Sequence, residues 1–230
     1  FLGSAITNLA LKKKFKVNVL VRENTNLKNL EKISSKLNFF YGDLRDINSL
    51  DLPILNSDVI FHVAADYRLW SRNPKEIYDS NVRGTENICL KVKELKKTLI
   101  YTSSVATLGI DNNSEADENT PVDFIDMIGD YKKSKYLAEQ IVQKFIKKKM
   151  KGIIVNPSTP IGPGDIKPTP TGKIILDVLS GRMPAYVDTG LNLVHVEDVA
   201  EGHFQALKFG KFGEKYILGG ENLNFKEFLD

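Results

Sequence analysis

Apolar residues along the chain fall into short runs separated by longer stretches of helical periodicity. Lys16–Val21, Asn38–Asp43, Asp58–Val63, Thr98–Thr102 and Gly152–Asn156 are rich in β-branched and aromatic side chains, and each predicts a buried strand. Residues 4–14, 75–96 and 131–149 carry apolar positions three and four apart and predict helices. Mostly apolar rather than alternating strands belong to a parallel sheet covered on both faces. Their alternation with helices predicts an α/β fold with a doubly wound parallel sheet. Ligands of such sheets bind beyond the carboxyl ends of the strands, which singles out Arg22, Asp43-Leu44, Ala64 to Tyr67, Ser103-Ser104 and Pro157-Ser158-Thr159.

After residue 156 the pattern breaks. Pro157, Pro160, Pro163, Pro168 and Pro170, with Gly162, Gly164 and Gly172, punctuate the chain too densely for long regular elements. A short helical pattern at Lys173–Ser180 and the segment Met183–Val187 follow, and we read 157–190 with 219–230 as a small substrate lobe. Leu191–Val196 predicts a strand leading into a helix, returning the chain to the main 1–156 domain over about 191–218. The sequence opens on a helical pattern with no strand before it and ends at Asp230 as another helix begins. It is therefore read as a fragment missing both ends, the first strand of its sheet among the missing parts.

Composition narrows the class. With 230 residues, 42% hydrophobic and 27% charged, the chain suits one globular domain. Cys89 is its one cysteine, so a disulfide framework is excluded and a reducing, cytoplasmic setting is expected. No apolar run reaches the ~20 residues of a membrane span, and no signal peptide is evident. The net charge of +3 arises largely in lysine clusters such as Lys12-Lys13-Lys14 and Lys147-Lys148-Lys149. These lack the interleaved aromatics of a nucleic-acid surface. His62, His195 and His203 are scattered without metal-ligand spacing and are expected to be structural. No Gly-x-Ser-x-Gly hydrolase elbow occurs.

The candidate chemistry lies at Tyr131 and Lys135, one helical turn apart on one face. An ammonium beside a phenol favours the phenolate and pulls it toward working pH, so the pair can exchange a proton with a carbinol. By itself the spacing is weak: 8 tyrosines and 32 basic residues in 230 make about one such pair by chance. Solvated lysines at a helix start would look the same.

Other segments give the pair company. Phe1-Leu2-Gly3, Gly42-Asp43-Leu44, His62-Val63-Ala64-Ala65, Asn81-Val82-Arg83-Gly84-Thr85, Thr102-Ser103-Ser104, Tyr131 to Lys135 and Asn156-Pro157 resemble, in order, the motifs of extended short-chain dehydrogenases/reductases, the NAD-dependent epimerase/dehydratase family. Ala65 to Trp70, Asn156 to Asp165 and Tyr216 to Asn222 are most similar to its hopanoid-associated sugar epimerase and dihydroflavonol-4-reductase-like group. The resemblance covers essentially the whole chain and implies a Rossmann fold.

It also implies roles. Tyr131 would be the general acid/base, Lys135 would lower its pKa and bond the nicotinamide ribose, and Ser104 would hold the substrate oxygen. Asp43 would accept from the adenine amino group beside a Leu44 backbone contact, and Ala64 and Ala65 would let the backbone approach the cofactor. Asn81 would brace the site, Pro157 would border the cofactor, and Gly3 would permit close packing at the helix that holds the pyrophosphate. Arg22 stands next to the position where NAD-preferring relatives place an acid, which favours NADP over NAD. Tyr67 and Ser158, with Arg68 and Trp70, are candidates for the substrate pocket, although Trp70 equally suits the core.

The implied activity is a sugar epimerase working at a carbinol and ketone, with an NADPH-dependent ketone reductase as the alternative and a catalytically silent NADP sensor as a third reading. A dehydratase is disfavoured because Val105-Ala106-Thr107, not an acid, follow Ser104. The implied partner is a small sugar-like molecule, with a homodimer formed through the two long helices.

Overall fold

A computed structural model describes residues 1–110, 115–183 and 185–229. Pro184 and Asp230, included above in the substrate lobe, lie outside the described residues. Helix α1 (Leu2–Lys12) leads into β1 (Val17–Val21), and a 3-10 stretch at Lys28–Lys36 into β2 (Leu37–Tyr41). Helix α2 (Asp51–Leu55) precedes β3 (Val59–His62). Helices α3 (Lys75–Tyr78) and α4 (Gly84–Glu94) precede β4 (Thr98–Thr102), and α5 (Asp130–Lys147) precedes β5 (Lys151–Pro157). The rest comprises β6 (Thr159–Ile161), α6 (Pro170–Leu179), β7 (Gly190–His195), α7 (Val196–Phe209), β8 (Lys215–Leu218), β9 (Glu221–Asn224) and α8 (Phe225–Leu229).

β1 and β2 pair in parallel, and β3-β4-β5-β8 form a four-stranded parallel sheet. Consecutive residues of β4 and β5 point to opposite faces, and both faces are apolar. Leu99, Tyr101 and Ile154 pack with Ile88 and Val92 of α4 and Ala138 and Val142 of α5. Ile100, Ile153 and Val155 pack instead with Ala206 of α7. Ile6 and Ala10 of α1 join Ala200 and Phe204 of α7 over Phe61. Each such large aliphatic side chain contributes roughly 1.5–3 kcal/mol on burial. This two-sided cover is why the strands read as apolar runs, and it is the doubly wound α/β arrangement expected.

Two elements differ from expectation. The single helix over 75–96 is interrupted by a π turn at Asp79–Arg83, between α3 and α4. Such a turn carries one extra residue and re-aims the side chains around it; here it buries Asn81. Gly84 then matters, because a Cβ there would lie 2.9 Å from the Cβ of Leu44, so α4 reaches the loop after β2 only through glycine. In addition, the strand expected at 191–196 does not rejoin the main sheet. β5 gives its free edge to β8, with Val155 opposite Tyr216, so β7 pairs with β6 in parallel and with β9 antiparallel in a separate three-stranded sheet. The return to the main fold begins with α7.

His62 and His203 are buried in the core, as expected. His203 donates from Nδ1 to the Val199 carbonyl (2.7 Å) and accepts at Nε2 from Thr102 Oγ1 (2.8 Å), and His62 Nε2 lies 2.9 Å from Thr85 Oγ1. Burial, with Lys135 adding repulsion at His62, lowers the two imidazoles to about 3 (His62) and about 4 (His203). The unfolded chain protonates them near 6.5. Between those values the unfolded state holds more protons, so stability falls as pH falls, by about 1.4 kcal/mol per pH unit for each imidazole. Thermal melts are expected to show Tm dropping steadily from pH 7 to pH 5; a flat Tm over this range refutes the neutral burial of the two rings.

Candidate active site

Tyr131, Lys135 and Glu139 follow one another at four-residue spacing on α5, facing the carboxyl ends of β4 and β5. The helix starts after Gly129, whose φ of 82° suits glycine, and Tyr78 Oη donates to Asp130 Oδ1 at 3.2 Å to tie that start to α3.

Lys135 is only 4% exposed despite its charge. Its Nζ donates to the Thr102 carbonyl at 2.8 Å and to Tyr101 Oη at 3.2 Å, and lies 4.7 Å from the centre of the Tyr101 ring. An ammonium has three donors; two are spent here, and no protein partner takes the third among the described residues. Burial lowers Lys135 to about 8, opposed by the negative charge of Glu139.

Ser104, two residues past β4, is in extended backbone and caps the 3-10 turn Val105–Thr107, its Oγ accepting from the Ala106 N–H at 3.1 Å. The nearby Ser104 hydroxyl favours ionisation of the Tyr131 phenol, but burial outweighs this and raises the phenol above its ordinary value. The lowering of Tyr131 by Lys135 expected from the sequence is therefore not found. The ammonium is drawn inward to the Thr102 carbonyl, and the phenol is left protonated.

Asn81 connects the loop after β3 to α5. Its Oδ1 accepts from the Asp66 N–H at 2.7 Å, while its Nδ2 donates to the Asp66 carbonyl and to Ser134 Oγ, both at 2.9 Å. Ala64 in that loop is exposed and Ala65 half-buried. Tyr67 Oη reaches the Lys167 carbonyl at 3.3 Å and so bridges to the loop after β6. Arg68 is held by Asp66 (2.7 Å) and Glu76 (2.9 Å). Trp70, which suited the core in sequence terms, is 74% exposed.

At the other end of the crevice, Arg22 is exposed just past β1, beside Asp43 at the end of β2. Both Asp43 oxygens are engaged by Arg45, at 2.6 and 2.9 Å, and these bonds, with Arg22 nearby, hold the carboxyl at about 2. The Leu44 carbonyl accepts from Asn87 Nδ2 at 2.8 Å. Pro157 closes β5, and Ser158 turns its N–H (3.1 Å) and hydroxyl (3.4 Å) to the Leu218 carbonyl. Gly3 lies in the first turn of α1, where a Cβ would meet no atom of the described residues outside its own helix within 4 Å. His195 caps α7, accepting from the Glu197 N–H at 3.3 Å.

The sequence reading passed over Glu139 and Asn156 as site residues. Asn156 Nδ2 lies 3.0 Å from the Ser104 carbonyl, and Glu139 looks like an ordinary helix-surface acid. Its register was the available signal, since it extends the Tyr131–Lys135 face by one turn.

A parallel sheet wound by helices on both faces, with serine, tyrosine and lysine gathered at its carboxyl edge, defines an extended short-chain dehydrogenase/reductase. Residues 1–219 match the family model described as the NAD dependent epimerase/dehydratase family, and the chain belongs to that family of NAD(P)-binding enzymes. It is 43% identical over 236 residues to a Synechocystis sp. protein provisionally named dihydroflavonol 4-reductase, covering 100% of this chain and 68% of that protein. It is 28% identical to sterol demethylase protein B of Methylococcus capsulatus, covering 99% and 69%. Among solved structures, gox2253 is 48% identical with a TM-score of 0.94, covering 100% of this chain and 70% of its own. The UDP-glucose 4-epimerase of Thermus thermophilus in complex with NAD shares the fold at 23% identity and a TM-score of 0.85, covering 100% and 78%. No helix among the described residues is long and apolar enough to cross a membrane.

Proposed function

We propose that the protein is an NADPH-dependent reductase of an apolar ketone or aldehyde. What supports this reading is a Tyr131 phenol kept protonated by burial, with the Ser104 hydroxyl near it and the buried Lys135 ammonium one turn along the same helix. Reduction of a carbonyl needs a group that gives up a proton, and a phenol kept neutral by burial is such a group. Ser104 would hold the substrate oxygen and Tyr131 would protonate it.

The residues present fit a nicotinamide dinucleotide. Lys135 retains an N–H for a ribose hydroxyl, and Ala64 is small and exposed. Asp43, Leu44, Ala65 and Pro157 would border the same ligand, with Asn81 holding the loop that faces it. The nicotinamide, when bound, supplies the hydride.

Arg22 supports NADPH over NADH. Arg45 occupies both Asp43 oxygens, and Arg22 makes no ion pair among the described residues, so its guanidinium at the end of β1 can face a 2′-phosphate, with Glu23 beside it as the opposing charge. Replacing Arg22 with alanine is expected to weaken NADPH binding by about tenfold or more and leave NADH binding unchanged. Fluorescence titration with both cofactors checks it, and an equal loss for the two refutes the assignment.

A sugar epimerase would use the same three side chains. Apolar groups on the loops that follow the strands favour the reductase: Leu69 and Trp70 after β3, Ile110, Ile125 and Ile128 after β4, and Ile166 after β6 are all exposed. A sugar offers little apolar surface to cover them. The discriminating experiment supplies NADPH with apolar aldehydes and ketones, and separately with nucleotide sugars. Stoichiometric loss of NADPH absorbance with the first set supports the reductase. Isomerisation of a sugar without net loss of cofactor overturns it in favour of the epimerase.

A further inference from the structure

Helix α5 buries a third charged side chain that no step above uses. Glu139 is 2% exposed and is the one Asp or Glu among the buried residues described. A carboxylate removed from water is costly unless hydrogen-bonded and countered by charge, and this one is provided with both. Its Oε2 accepts from Ser103 Oγ at 2.5 Å, Thr107 Oγ1 at 2.7 Å and Asn156 Nδ2 at 3.0 Å. Its Oε1 accepts from Gln143 Nε2 at 3.1 Å and lies 3.6 Å from Lys215 Nζ of β8.

Two of those donors also hold Ser104. Asn156 Nδ2 donates to the Ser104 carbonyl at 3.0 Å, and the single Thr107 hydroxyl proton is shared between that carbonyl and Glu139, each 2.7 Å away. The two protons of the Asn156 amide are spread over three acceptors, Glu139, the Ser104 carbonyl and Thr107 Oγ1 at 3.1 Å. One anion thus gathers the turn after β4, the end of β5 and the helix that carries Tyr131 and Lys135. The charged and titratable groups around Lys135 are His62 on β3, Tyr101 on β4 with Cys89 of α4 behind it, and Tyr131 and Glu139 on its own helix. Of these, Glu139 alone brings negative charge near neutral pH, tempered by Lys215.

We propose that Glu139 is a positioning residue: it locks Ser104 through Thr107 and Asn156 and supplies the counter-charge that keeps Lys135 an ammonium. The proposal rests on the Ser104–Tyr131–Lys135 reading given above.

The test titrates NADPH, by its fluorescence, into the protein, E139Q and K215M from about pH 6.5 to about pH 10, with circular dichroism and Tm recorded alongside. Glutamine keeps an oxygen for the three donors and removes the charge. The midpoint at which NADPH affinity is lost on raising the pH is expected to move down by about one unit in E139Q. It is expected to move up in K215M, where the carboxylate faces one competitor fewer. A structural role alone lowers Tm and leaves both midpoints in place, which overturns the proposal. Should E139Q fail to fold, K215M decides, since Lys215 is partly exposed: an upward shift supports the proposal and no shift overturns it. Failure of the unsubstituted protein to bind NADPH at any pH overturns both this proposal and the reading beneath it, whereas binding with unmoved midpoints overturns the role of Glu139 alone.

Discussion

Tyr131→Phe lowers kcat by about a thousandfold while NADPH affinity stays within about twofold. Phenylalanine keeps the ring and its packing, and the one atom lost is the hydroxyl, near Ser104, that burial keeps protonated. Burial keeps that hydroxyl protonated in the resting site, so its work is to deliver a proton to the substrate oxygen as the carbonyl is reduced. Without it the developing alkoxide has only the Ser104 hydroxyl, a far weaker acid. The check pairs NADPH fluorescence titration with NADPH consumption in the presence of the best carbonyl substrate. Turnover near the normal rate would place the acid elsewhere, and a protein that only sensed NADP would keep its function unaltered.

Lys135→Met gives the opposite partition, because it strikes cofactor binding as well as turnover. An N–H from a charged group to a ligand contributes about 1.5–3 kcal/mol, so the NADPH Kd rises by roughly ten- to a hundredfold. The Thr102 carbonyl and the Tyr101 hydroxyl lose their donor, so Tm falls too. The pH dependence carries a clear sign. Lys135, lowered to about 8 by burial, works as the ammonium, so kcat/KM falls as pH rises through about 8 in the unsubstituted protein, and this limb disappears in K135M. Arginine does not substitute, since its planar fork cannot occupy the place of a compact ammonium over the Tyr101 ring. An unchanged Kd and an unchanged basic limb in K135M would remove Lys135 from the cofactor site.

Much of this arrangement is legible in the chain. Thr98–Thr102 is a strand with the boundaries its apolar run implies, because a parallel strand covered by α5 on one side and α7 on the other has no polar face to interrupt it. Tyr131 and Lys135 fall on one helix face because four residues make about one turn, and the motif around Asn81 leads to a residue that joins the loop after β3 to α5. Other features leave no mark in residue order. The π turn at Asp79–Arg83 looks like continuous helix, since periodicity over 75–96 barely changes when one residue is added to a turn. The separation of β7 from the main sheet depends on β8, more than twenty residues later, taking the edge of β5.

The sequence by itself determined which segments become strands and helices, which strand ends carry polar groups, and that a tyrosine and a lysine share one helical face. These follow from local spacing and from the apolar character of each segment, quantities that neighbouring residues define. The tertiary structure alone decided which charges were taken from water. Lys135 is turned toward the Thr102 carbonyl rather than the Tyr131 phenol, and Glu139, which reads as a surface acid, sits dry among Ser103, Thr107 and Asn156. The physical reason is that the state of an ionisable group depends on the dielectric and the dipoles around it, and these are supplied by segments distant along the chain that meet only once the sheet is assembled.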